Sequence, residues 1–255
     1  MKKVVLITGA SAGLGEEFAF QLAEQGLSLL LVARREDKLQ QIRQQILVKY
    51  PEISVSYLPV DLTEQESAQQ IVTYLQSHSL FLSGLINNAG FGQRGAFAEI
   101  ALSRQMEMLQ VNINSLVSLT HLAIPLLKQQ QNSFIINVAS TAAFQAGPNL
   151  AIYYASKAFV LSFSQALYEE LKGEGIRVST LCPGATKTEF AQVAEMSDSL
   201  LFKLRVMEKQ PVVRCALNNA GKAVVIPGLL NKLSVFFVQL VPGSLARKLA
   251  YLIQK

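Results

Sequence analysis

Val4-Val5-Leu6-Ile7-Thr8-Gly9-Ala10-Ser11-Ala12-Gly13-Leu14-Gly15 opens with a short aliphatic run, passes through small residues carrying three glycines, and runs straight into a helix-period stretch from Glu16 to Gln25. Small residues at such a strand-to-helix turn let backbone approach a pyrophosphate, and the helix start offers it free N–H donors. Gly9, Ser11, Ala12, Gly13, Leu14 and Gly15 are the candidate contacts. A glycine trio alone is weak; the strand before it and the helix after it give it meaning.

The same alternation continues outward. Short β-branched or aliphatic runs lie near 3–8, 28–33, 54–60, 84–87, 133–139, 176–181 and 223–226, with helical stretches such as Glu36 to Val48 between them. Leu29-Leu30-Leu31-Val32-Ala33 is continuously apolar, as a strand covered on both faces should be. The expected architecture is one α/β domain over residues 1–255, a doubly wound parallel sheet of about seven strands with helices on both faces. No repeat, low-complexity segment or linker divides the 255 residues.

Composition narrows the partners. Hydrophobic residues reach 50% and charged residues only 16%, which excludes a disordered chain. The net charge of +5 comes from dispersed Lys and Arg, so no nucleic-acid stripe is expected, and the bias suits an anionic small molecule. Cys182 and Cys215 form no disulfide framework, and His78 and His121 are isolated, so no metal site is expected. Met1-Lys2-Lys3 resembles the start of a signal peptide, but its apolar run stops at Thr8-Gly9 and reads as a strand; a reducing, cytoplasmic setting is expected.

About 20 residues past the loop, where an acidic residue would hold a ribose and an arginine a 2′-phosphate, stand Arg34 and Arg35. Their guanidinium forks favour NADP(H) over NAD(H), Arg34 being the preferred contact; the alternative is that one or both are solvated helix-capping charges paired with Glu36 and Asp37. Asp61 and Leu62 close the third strand; Asp61 either accepts from an adenine amino group or is structural, and Thr63 with Glu66 has capping-box spacing. Asn88-Ala89-Gly90 ends the fourth strand at the same edge.

Tyr153 and Lys157 are four apart in a helical stretch, so they share a face, and an ammonium there is expected to lower the phenol pKa. Ser140, ending the strand Phe134 to Ala139, can hold a carbonyl oxygen. Asn112 lies within another helical stretch, where asparagine needs a partner or a bend.

Taken in order, the Thr8–Gly15 loop, Asn88-Ala89-Gly90, Asn112, Ser140, Tyr153-x-x-x-Lys157 and Pro183-Gly184 resemble the short-chain dehydrogenase/reductase family over residues 1 to about 190. The resemblance implies a Rossmann-type fold and hydride transfer between nicotinamide and a carbonyl or alcohol. In it Tyr153 is general acid or base, Lys157 holds the nicotinamide ribose, Ser140 orients the substrate oxygen and Asn112 maintains a proton path. It also implies that Pro183-Gly184 and Thr188 sit under the carboxamide, with Thr186 among the cofactor contacts and Ser11 and Arg34 at the 2′-phosphate. Phe91-Gly92, Lys157 to Ser164 and Cys182 to Phe190 resemble the branch of bacterial broad-specificity and ketoacyl- or ketosteroid-type reductases, implying apolar carbonyl or alcohol substrates.

Phe190 to Val206, with Met196, Leu200, Leu201, Phe202 and Leu204, reads as an apolar substrate lid within 190–210 or as an ordinary packed helix. Phe144 and Gln145 either line the pocket or simply pack. Apolar residues around much of Ala158 to Leu171 suggest a homodimer or homotetramer. Residues 228–253 form an apolar helical extension: 223–241 reads first as a buried strand and helix, and alternatively as a peripheral membrane contact. The rival to an enzyme is a catalytically idle NADP(H)-binding sensor, which needs the loop but not the proton relay.

Overall fold

The computed structural model describes residues 2–196, Ser199 and 206–254. Seven strands, β1 Lys2–Thr8, β2 Ser28–Ala33, β3 Val55–Pro59, β4 Leu80–Asn87, β5 Ser133–Val138, β6 Ile176–Leu181 and β7 Val224–Val225, form one sheet. Their order is β3-β2-β1-β4-β5-β6-β7 and every pairing is parallel. The helices are α1 Gly13–Glu24, α2 Glu36–Lys49, α3 Ser67–Ser77, α4 Leu102–Leu109, α5 Ser115–Leu127, α6 Ala151–Leu171, α7 Phe190–Val193, α8 Lys209–Asn218, α9 Leu229–Leu240 and α10 Gly243–Gln254.

Strand alternation builds two cores. Val5, Ile7, Leu29 and Leu31 point to one face, where Phe18 and Leu22 of α1, Leu39 and Ile46 of α2 and Val212 and Val213 of α8 cover them. Val4, Leu6, Leu30 and Val32 point to the other, beneath Ile71 and Leu75 of α3, Leu119 and Ala123 of α5 and Leu167 of α6. Burial on both faces explains why β1 and β2 read as unbroken apolar runs. Strand order reverses between β1 and β4, which places the crevice of an open α/β sheet outside their carboxyl ends. The glycine loop and Asn88-Ala89-Gly90 stand there.

Two local expectations change. Thr63 does not cap α3: its N–H and hydroxyl both donate to Asp61 Oδ1, at 2.9 and 2.8 Å, so the residue is held in a turn and the helix begins at Ser67. The stretch 223–241 is only partly buried. Val225 is enclosed, but Pro227 and Gly228, at φ 83°, turn the chain off the sheet, and Val235 alone is buried in α9. Among the described residues no helix is long and apolar enough to cross a membrane.

Candidate active site

The loop after β1 is shaped by close approach. Gly9 and Gly13 adopt φ of 64° and 60°, and a Cβ on Gly13 would meet the Thr188 side chain at 3.1 Å. Gly15 sits so close to the Gly9 carbonyl that a side chain there cannot be accommodated. Asn88 ties this loop to β4: its Nδ2 donates to the carbonyls of Thr8 at 2.9 Å and Gly9 at 3.2 Å. Thr8 Oγ1 in turn accepts from the backbone N–H groups of Asn88 and Ala89, both at 3.1 Å. Thr8 and Asn88 are thus the clamp that sets the loop.

A polar cleft of ≈ 290 Å³ opens from the loop, lined by Ser11, Gly13, Lys38, Lys187, Thr188 and Lys209 among others. The two arginines part company at its edge. Arg35, not Arg34, faces Ser11, donating to Ser11 Oγ at 3.3 Å, and it also pairs with Glu189 at 2.8 Å. Arg34 instead lies 3.7 Å from Asp61. Partial burial pushes the Asp61 carboxyl up, but the Thr63 hydrogen bonds and the Arg34 guanidinium outweigh this and hold it below the ordinary value. Glu189 is a partner that the sequence reading missed; nothing in local spacing joins it to residue 35.

Across the crevice, α6 presents Tyr153 and Lys157, both buried. The Ser140 hydroxyl lies beside that of Tyr153 and favours its ionised form, while its own Oγ–H donates to Pro183 O at 3.4 Å. Ser140 is itself fixed, its Oγ accepting from Ala142 N–H at 3.1 Å. Lys157 Nζ donates to the Val138 carbonyl at 2.9 Å, and a Cβ on Gly90 would lie 3.2 Å from it. Residues from β4, β5 and α6 therefore meet at one point.

The charge tuning differs from expectation. Burial raises the Tyr153 pKa above the ordinary phenol value, the Ser140 hydroxyl only partly offsetting it. Burial likewise lowers Lys157 to about 8, with neighbouring Cys182 opposing the shift. Desolvation of both groups, rather than an ammonium acting on a phenolate, sets their resting states.

Asn112 occupies a π-helical turn, Gln110–Asn114, between α4 and α5. Its Oδ1 accepts from Phe91 N–H at 3.0 Å, and its Nδ2 donates to Phe91 O and Ser156 Oγ, each at 3.0 Å. A local bend does not explain it; it joins the loop after β4 to α6. Ser156, which the sequence reading passed over, sits between Tyr153 and Lys157 and donates to the Tyr153 carbonyl at 2.7 Å.

The turn after β6 completes the rim. Pro183 O accepts from Thr141 N–H at 2.9 Å, and Thr186 Oγ1 donates to Gly184 O at 3.0 Å. Phe190 packs tilted against Tyr153 with ring centroids 5.2 Å apart, and Met196 and Ala194 are buried in the same apolar cluster with Met108, Leu150 and Tyr154. The first part of the expected lid thus packs onto Tyr153, while Leu200, Leu201, Phe202 and Leu204 lie outside the described residues. Phe144 packs against the Ala139, Ala143, Val160 and Cys182 cluster.

Residues 3–198 match the short chain dehydrogenase family. The chain belongs to that family and is an oxidoreductase of it. It is similar to sulfoacetaldehyde reductase 2 of Chromohalobacter salexigens, 32% identical over 200 residues and 78% of each chain. Among solved structures it resembles a short-chain dehydrogenase from Sphingobium yanoikuyae in complex with NADPH, with 31% identity, a TM-score of 0.82 and 92% of each chain covered. It also resembles the bulky-bulky ketone specific alcohol dehydrogenase from Comamonas testosteroni, with 29% identity, a TM-score of 0.77, and 93% of this chain and 92% of that one covered.

Proposed function

We propose that this short chain dehydrogenase transfers hydride between NADP(H) and an apolar carbonyl or alcohol, with Tyr153 as the general acid or base. The observation that carries the reading is the meeting of Tyr153, Ser140 and Lys157 at the carboxyl edge of the sheet, beside an apolar cluster.

The residues present fit the cofactor. The glycine loop leaves a cradle that side chains would fill, and the N-terminus of α1 supplies backbone donors for a pyrophosphate. Ser11 with Arg35 would hold a 2′-phosphate; Arg34, 3.7 Å from Asp61, would border the adenine with Asp61 and Leu62. Asn88, Ala89 and Gly90 would line the ribose path with Lys157, and Pro183, Gly184, Thr186 and Thr188 would flank the carboxamide. The NADPH-bound relative supports the phosphate assignment. Bound NADPH supplies the hydride.

The chain does the rest. In reduction, Ser140 Oγ–H and the Tyr153 hydroxyl hydrogen-bond the substrate carbonyl oxygen, and the Tyr153 proton passes to that oxygen as it becomes an alkoxide. A phenol kept neutral by burial is the form that can donate. Lys157 draws its fixed position from Val138 O, while Asn112 and Ser156 hold α6 to the loop after β4. Phe190, Met108 and Met196 exclude water around the reacting oxygen and favour an apolar substrate body. The relative specific for bulky ketones supports this substrate class.

The test is NADPH oxidation at 340 nm against aromatic, steroid and acyl ketones, with Tyr153→Phe as control. Turnover by the native chain that falls about 100-fold or more in Tyr153→Phe, with NADPH affinity retained, is the expected result. Tight NADPH binding without turnover of any carbonyl would instead favour the idle sensor, and full activity in Tyr153→Phe would end the mechanism.

A further inference from the structure

We propose that the outward faces of α9 and α10 form a docking surface for a membrane with anionic headgroups. In α9, Leu229, Leu233, Phe236 and Leu240 fall on one helical face with Phe237 beside them, and all are exposed, Leu229 at 72% and Leu240 at 65%. The opposite side carries Val235, which is buried, and Asn231, whose Nδ2 donates to Pro227 O at 2.8 Å. α10 repeats the arrangement: Ala246 and Ala250 are buried, while Leu245, Leu249 and Leu252 lie exposed at the spacing of one face. Both helices therefore anchor through small or few residues and turn their large apolar side chains outward, the reverse of a water-facing surface helix. At 12 residues each they are far short of the ~20 that span a bilayer, so they suit its interface.

Charge selects the occupant. All 18 acidic residues of the chain precede Lys209, whereas seven of its 23 basic residues follow Glu208. Lys232, Arg247 and Lys248 are exposed on these two helices and form no ion pair among the described residues. A second copy docked symmetrically through the same face would set these cations against their own equivalents. An anionic lipid surface meets the same cations with opposite charge and takes the apolar side chains into its acyl boundary. The proposal stands independently of the catalytic reading.

Co-sedimentation of the full chain with phosphatidylcholine vesicles, with and without phosphatidylglycerol, tests it. The protein is expected to pellet with the anionic vesicles, to stay in solution with phosphatidylcholine alone, and to be released as salt is raised. A Lys232→Ala/Arg247→Ala/Lys248→Ala variant should partition at least about tenfold less, and a Phe236→Ser/Phe237→Ser variant should lose binding while keeping its melting temperature, because both rings are exposed. Native protein that remains in the supernatant with anionic vesicles overturns the proposal, as does unchanged binding by either variant. A drop in solution mass for the Phe236→Ser/Phe237→Ser variant, without vesicle binding by the native chain, would assign the face to a second copy instead.

Discussion

Burial moves the two reactive side chains of α6 toward their neutral forms, and this has a measurable cost at Lys157. Its pKa falls from 10.5 to about 8, so the unfolded chain binds more protons than the folded one between those values. Stability contributed at this site therefore rises with pH from about 8 upward, recovering about 2 kcal/mol between pH 7 and 9.5. Cys182 works oppositely, since burial lifts its thiol to about 12 and only the unfolded chain ionises it above pH 9. Subtracting a Lys157→Met variant isolates the lysine. Urea unfolding is expected to show the variant gaining on the native protein at pH 7 and losing about 2 kcal/mol of that advantage by pH 9.5; a constant difference would mean that Lys157 is not desolvated. At the other end of the crevice, Arg35→Ala should weaken NADPH about tenfold or more and NADH little, because Arg35 is the guanidinium against Ser11. Arg34→Ala, which removes a partner of Asp61, should affect both cofactors more nearly alike. Equal loss of both cofactors in Arg35→Ala would refute the phosphate assignment.

Elements transmit the site's precision through a buried polar layer. Asn87 Nδ2 at the end of β4 donates to Thr120 Oγ1 of α5 at 2.9 Å and to Asn137 Oδ1 of β5 at 2.8 Å, and Asn137 Nδ2 donates to Ser164 Oγ of α6 at 2.8 Å. Asn137→Leu leaves Asn87 and Ser164 without that partner in a closed interior, and should cost about 2–4 kcal/mol in denaturant unfolding. A loss under about 1 kcal/mol would show that these bonds contribute little to stability. None of these bonds was visible in the sequence, since they link residues 27 to 50 positions apart across strands and helices. What was legible had short range: the seven apolar runs, the glycine loop and the Tyr153–Lys157 spacing each declare themselves within a few residues. Ser156, Glu189 and the true partner of Thr63 did not, because a hydroxyl or carboxylate takes whichever donor the tertiary fold brings to it. The direction of the Tyr153 shift was misjudged for the same reason. Spacing to Lys157 can be counted, whereas burial depends on Phe190, Tyr154 and the segments folded over them.

At the scale of the whole molecule, the described surface leaves a second apolar region far from β1 in sequence. α4 packs on α6, and this pair exposes Leu102, Met106 and Phe159, the last stacked at 5.8 Å on Phe163. Here, unlike the α9 and α10 face, charge is mixed: Arg104 and Glu107 pair with each other at 3.0 Å on α4. A self-complementary interface tolerates such neutralised pairs, since a twofold partner presents the same surface and adds no net repulsion. We propose that the homo-oligomer expected from α6 forms through Phe159 rather than through the cationic helices. Phe159→Asp puts an unpaired carboxylate on that surface, and should convert the assembly to a smaller species in sedimentation equilibrium at micromolar concentration. Because Tyr153 and Lys157 lie on the buried side of the same helix, the dissociated variant should keep its NADPH affinity within about threefold. A native chain already monomeric at that concentration would remove the oligomer from this face, and an unchanged mass in Phe159→Asp would move the interface elsewhere.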